Sequence, residues 1–197
     1  MELCFATNNK HKLDEVSQLL GGSFKIVSLE EIGCTEELPE EQDTLEGNSL
    51  QKAKYVSDKF NIGCFADDTG LEVEALDGAP GVYSARYAGE QRNSEDNMSL
   101  LLEKLNNQSK LNNQSNRKAR FRTVITLILD NQTHQFEGIA NGEILKSKRG
   151  EKGFGYDPLF LPEGMNKSMA ELTATEKNAI SHRGEAVRKL VAFLKQG

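Results

Sequence analysis

The chain has 197 residues, 37% of them hydrophobic and 27% charged, and carries a formal net charge of −6. That length supports one substantial domain, and the acid excess excludes the broad basic face that nonspecific nucleic-acid binding needs, while leaving room for a small anionic ligand held by a few placed cations. Cys4, Cys34 and Cys64 are odd in number and widely spaced, which fits free thiols in a reducing interior rather than a disulfide framework.

With no signal pattern and no apolar run of membrane-spanning length, the expectation is a cytoplasmic protein with no membrane or nucleic-acid partner. Residues 1–197 are expected to form a single domain of two lobes without a separate linker.

The first six residues read as a short apolar strand. It runs into Thr7-Asn8-Asn9-Lys10-His11-Lys12, after which Leu13, Val16, Leu19 and Leu20 are spaced for one helix face, with Gly21-Gly22 as a stop. A polar hexapeptide between strand and helix puts unpaired N–H groups and two lysines where an anion is welcome. An ordinary connection with solvated lysines fits the spacing equally well, because no Walker A pattern is present.

A second strand is read over Phe24–Leu29. The acids of Glu30–Glu46 read as solvated loop charges, of which one could reach a metal; spacing does not say which. A helix follows over Leu45–Phe60, with Asn48 and Lys52 four apart on one flank. A phosphate contact for Lys52 is open, and an exposed lysine is the commoner outcome.

Next comes Cys64-Phe65-Ala66-Asp67-Asp68-Thr69-Gly70-Leu71, read as an apolar strand that ends in two carboxylates, a hydroxyl and a turning glycine. Adjacent carboxylates repel unless a cation or proton lies between them, and an all-oxygen donor set suits Mg²⁺ or Mn²⁺. A plain polar turn is the alternative. Leu71–Leu76 alternates as a half-exposed strand, and Asn93 or Ser94 is placed to cap a helix carrying Leu101 and Leu105. Lys104–Ser109 and Lys110–Ser115 repeat the same hexapeptide, Lys-Leu-Asn-Asn-Gln-Ser, whose Asn and Gln content reads as a solvent loop.

Ala119–Leu129, rich in β-branched residues, turns through Asp130-Asn131-Gln132 into a strand over His134–Ile144, giving a hairpin. In Gly153-Phe154-Gly155-Tyr156-Asp157-Pro158 two glycines flank an aromatic. Either Phe154 or Tyr156 stacks on a planar ligand there, or the segment is a turn with a core aromatic. Lys177, His182 and Arg183 lie near helix starts, where acids are normally preferred, and so suggest a nearby anion. A closing helix carries Ala186, Val187, Leu190, Val191 and Leu194.

Six stretches in series resemble the inosine triphosphate pyrophosphatase family: Ala6-Thr7-Asn8-Asn9 with Lys12, Ala66–Leu71, Gly78–Tyr87, Gly153–Pro158, Ala170-Glu171-Leu172 and Glu176–Arg183. The resemblance implies an α/β fold with a long mixed sheet flanked by helices, two lobes and a central cleft. It also implies a Mg²⁺-dependent homodimer that hydrolyses ITP, dITP and XTP to the monophosphate and pyrophosphate.

Residue by residue, it implies that Thr7, Asn8, Asn9, Lys10, His11 and Lys12 hold the triphosphate. Asp68 is then the catalytic base at the metal, Glu40 the other metal ligand, and Thr69 a substrate contact. Phe154, Gly155, Tyr156, Asp157 and Lys177 would meet base and sugar, and His182 with Arg183 the 6-oxo edge of the purine. His11 departs from the family's usual glycine, and the residues after Glu40 depart from its usual pattern. A pyrophosphatase for modified pyrimidine triphosphates and a non-catalytic nucleotide-binding module are the alternatives.

Overall fold

The structure, a computed structural model, describes residues 2–20, 24–112 and 116–196, with the backbone alone at 111 and 112. Two compact units are built from discontinuous segments. One comprises Met1–Asp68, Thr123–Gly138 and Ser181–Gly197, the other Thr69–Arg122 and Ile139–Ile180.

Among the described residues seven strands form one mixed sheet: β1 (Glu2–Phe5), β2 (Lys25–Val27), β3 (Cys64–Val73), β4 (Pro80–Gly81), β5 (Lys118–Leu129), β6 (Gln132–Ile144) and β7 (Phe160–Pro162). The order is β2-β1-β3-β5-β6-β7, with β4 on β3. β1 is parallel to both β2 and β3, whereas β3–β4 and β6–β7 are antiparallel. The five α-helices among the described residues are α1 (Lys10–Leu20), α2 (Leu45–Phe60), α3 (Ser94–Asn112), α4 (Ala174–Ile180) and α5 (His182–Leu194).

In the first unit the strand pleat sorts the core into two layers. Leu3, Phe5 and Phe65 point to the face where Val16 and Leu20 of α1 and Ala186, Val187 and Leu190 of α5 are buried. Cys4, Ala6, Cys64 and Ala66 point to the other face, against Ala53 and Val56 of α2. The thiols of Cys4 and Cys64 are fully buried there, and burial pushes both up to about 12. Gly138 lets β6 lie against the start of α5, since a Cβ at this position would collide with the His182 carbonyl.

α2 spans the predicted Leu45–Phe60. Thr44 caps its first turn by accepting from the Gly47 N–H at 3.0 Å, and Asn61 ends it in the left-handed conformation. In the β5–β6 connection Asp130 and Asn131 both have positive φ, 50° and 61°, the pattern of a two-residue primed hairpin turn.

Three sequence expectations are corrected. Asp67–Gly70 is no turn: β3 runs through it without a break, and ends at Val73 before a short 3₁₀ turn over Glu74–Leu76. Gly70 serves close approach rather than turning, because a Cβ there would lie 2.7 Å from the Gly81 carbonyl oxygen. The second strand is three residues long rather than six.

The third correction concerns the repeated hexapeptide. Its first copy and the start of the second continue α3 to Asn112, while Asn113–Ser115 and Gly21-Gly22 lie outside the described residues. Leu105 explains the helix: with Met98 and Leu101 it is buried in the core of the second unit. That burial outweighs the weak helix propensity of the neighbouring asparagines.

Candidate active site

Because successive residues of a strand face opposite ways, β3 sends Asp67 to the α1/α5 face and Asp68 to the α2 face. The two carboxylates therefore meet different partners, and their electrostatics diverge.

Asp67 is fully buried and accepts from Lys12 Nζ at 3.0 Å and from Arg183 Nε and Nη2 at 3.2 and 3.0 Å. Arg183, 2% exposed, also donates through Nη1 to Glu15 at 2.6 Å. Glu15 lies three residues beyond Lys12 on α1, so the two share a helix face. Burial alone would raise the Asp67 carboxyl, but Lys12, Arg183 and Lys52 outweigh it and hold the group well below the usual carboxylate range. Asp67 is thus a fixed anion.

Asp68 is nearly buried. It accepts from Asn48 Nδ2 at 3.1 Å and lies 3.6 Å from Lys52 Nζ. Burial raises its pKa above the ordinary value, and Lys52 and Lys12 offset that only in part. Asp68 is consequently the carboxylate better able to accept a proton. Lys52 is not the exposed lysine expected: it is 5% exposed, and its ammonium also bonds Glu40 at 2.5 Å. Burial pushes that ammonium down, and Asp68 and Glu40 together push it further up.

The loop carrying Glu40 is pinned at several points. Asn8 donates to the Glu36 carbonyl and accepts from the Leu38 N–H. Gln51 accepts from the Glu41 N–H, and Asn48 Oδ1 from the Gln42 N–H at 2.8 Å. Asn48 therefore ties Asp68 to the Glu40 loop with one amide. Asn9 caps α1 by accepting from the Lys12 N–H, which places Lys10, His11 and Lys12 in the first helical turn rather than in a loop.

The second unit holds a separate cluster. Asp157 accepts from Lys177 Nζ at 2.7 Å and from the Phe154 N–H at 2.9 Å, and the ammonium sits 4.9 Å from the Phe154 ring centroid. Gly155 has a positive φ of 62°. Tyr156 is given to the core instead of to a stacking surface: it is 4% exposed, and its hydroxyl donates to the Ser84 carbonyl. Thr69 is half-buried in β3. Lys177 lies in the last turn of α4, away from the helix start, whereas His182 and Arg183 are the first two residues of α5.

As a test of fit for a divalent cation, Glu40 and Asp68 lie 2.5 and 3.6 Å from one ammonium, so their carboxylates share one neighbourhood. Two carboxylates, completed by phosphate oxygens and water, are a donor set that suits Mg²⁺. Among the described residues no group of three or more His, Cys, Asp or Glu is disposed to hold a metal by itself.

The structure is thus a mixed α/β sheet with a buried acid–cation cluster on one inner strand. The chain belongs to the Ham1 family, whose profile matches residues 3–193. It is 53% identical over 195 residues to a dITP/XTP pyrophosphatase of Flavobacterium psychrophilum, covering 99% of this chain and 100% of that one. A dITP/XTP pyrophosphatase of Flavobacterium johnsoniae is 54% identical, with 98% of each covered. Among solved structures, a HAM1 protein from Coxiella burnetii superposes with a TM-score of 0.90 at 34% identity, over 100% of both chains.

Proposed function

We propose that this chain hydrolyses dITP, XTP and ITP to the nucleoside monophosphate and pyrophosphate, with Mg²⁺ held by Glu40 and Asp68. One observation carries the reading. In a chain alike over its full length to dITP/XTP pyrophosphatases, β3 presents two adjacent carboxylates of which one is locked by cations and the other keeps a raised proton affinity. The metal, when bound, offsets charge that develops on the phosphates.

The residues divide the work. Asp68 orients a water and takes its proton as the oxygen attacks the α-phosphorus; the α–β bridging bond breaks and pyrophosphate leaves. Asn48 holds the Asp68 carboxylate in place. Lys12, fixed by Asp67, and Lys10 at the start of α1 supply positive charge to the polyphosphate, together with the helix N–H groups.

Base and sugar are assigned to Phe154, Gly155, Asp157 and Lys177, and the 6-oxo edge to His182 and Arg183. Hypoxanthine and xanthine offer an acceptor at O6 where adenine offers an amino donor. A site of fixed donors discriminates by roughly 10⁴ or more. The resemblance to a homodimeric family makes a native mass of twice the chain part of the same reading.

The test is a panel of XTP, dITP, ITP, GTP and ATP with Mg²⁺, following pyrophosphate. The expected order puts the three deaminated purines far ahead of ATP. Equal rates with ATP, or a preference for modified pyrimidine triphosphates, would overturn the substrate assignment.

A further inference from the structure

Lys52 stands where the two metal-binding acids converge. Its ammonium, carried on α2 and 5% exposed, lies 2.5 Å from Glu40 Oε1 and 3.6 Å from Asp68 Oδ1, and the neighbouring turn of the same helix anchors Asp68 through Asn48. Magnesium sits about 2.0–2.1 Å from its oxygen ligands. An ion held by Glu40 Oε1 therefore lies no more than about 4.6 Å from the ammonium, and a second cation at such range is strongly repelled.

The charges point the same way. Glu40 and Asp68 with Lys52 sum formally to −1, and without the lysine to −2. A nucleoside triphosphate brings several negative charges of its own, which give the ammonium a new partner as the metal takes the carboxylates.

We propose that Lys52 is a placeholder cation: it holds the Glu40–Asp68 pair together and yields it when the metal arrives with the polyphosphate. Metal entry is thereby coupled to nucleotide entry, and the chain alone binds divalent ions weakly. This rests on the reading of Glu40 and Asp68 as the metal pair, and the test separates the two.

Mn²⁺ is titrated into the full chain without nucleotide, with free ion followed by electron paramagnetic resonance, for the parent, Lys52→Met, Lys52→Arg and Asp68→Asn. Lys52→Met is expected to bind Mn²⁺ at least about tenfold more tightly than the parent, because a like charge has been removed from the site. Lys52→Arg, which keeps the charge, is expected to gain nothing. Thermal melts give a second readout that also covers a weakly folded Lys52→Met: added Mn²⁺ is expected to raise its melting temperature more than the parent's.

If Lys52→Met binds Mn²⁺ no more tightly than the parent and its melt responds no more strongly, while Asp68→Asn weakens binding, the metal pair stands and the placeholder role is wrong. If Asp68→Asn leaves Mn²⁺ binding untouched, the metal pair itself is wrong and the placeholder falls with it.

Discussion

Asp68→Asn is expected to lower kcat for XTP by at least about 10³-fold while leaving the melting temperature within a few degrees of the parent chain. In the proposed mechanism the amide cannot take a proton from water and would offer the metal a weaker ligand, so two contributions are lost together. The fold survives because no cation is stranded: Lys52 keeps Glu40 at 2.5 Å, and Asn48 keeps its bond to the Gln42 N–H. Steady-state kinetics with a parallel melt measures both quantities. Turnover near the parent's would remove Asp68 from the chemistry.

Its neighbour should behave in the opposite way. Asp67→Asn leaves Lys12 and Arg183 facing a neutral amide in a fully buried position, and Arg183 keeps only Glu15 as an acid partner among the contacts described here. Breaking a buried ion pair by removing one partner costs about 3–5 kcal/mol. In a domain whose whole stability is of order 5–15 kcal/mol, that is a large share. At about 2–4 °C per kcal/mol for a chain of this size, the melting temperature should fall by roughly 10 °C. A melt within two or three degrees of the parent would show that Asp67 is not the anchor of this network. One substitution thus strikes turnover in an intact fold and the other strikes the fold itself, one residue apart.

That divergence was only half visible in the sequence. The run Asp67-Asp68-Thr69-Gly70 is made of turn-forming residues, so local chemistry points to a bend. The continuous strand comes from tertiary partners: Lys12, Arg183, Asn48 and Lys52 neutralise or bond each carboxylate on its own face of the sheet. Once β3 is known to be unbroken, the pleat assigns the faces without further information.

Where side-chain patterning dominates, the sequence was enough. The span of α2 follows from its apolar spacing, and the β5–β6 hairpin from β-branched runs around Asp130-Asn131. Glu15 and the positioning use of Asn48 went unread, though each had a signal: Glu15 is three residues from Lys12 on α1, and Asn48 is four from Lys52 on α2. Spacing shows that such residues share a flank, not which distant strand they meet. For Tyr156 the sequence left two outcomes open, a stacking surface or a core aromatic, and the hydroxyl's bond to the Ser84 carbonyl takes the second. The repeated hexapeptide misled through composition, because Leu105 carries more weight in the core than its polar neighbours do in solvent.

Hydrolysis of XTP in ¹⁸O-labelled water reads out the bond that is cut. Attack of the Asp68-oriented water on the α-phosphorus places the label in XMP and leaves the pyrophosphate unlabelled. Label in pyrophosphate, or stepwise release of inorganic phosphate through XDP, would contradict the account.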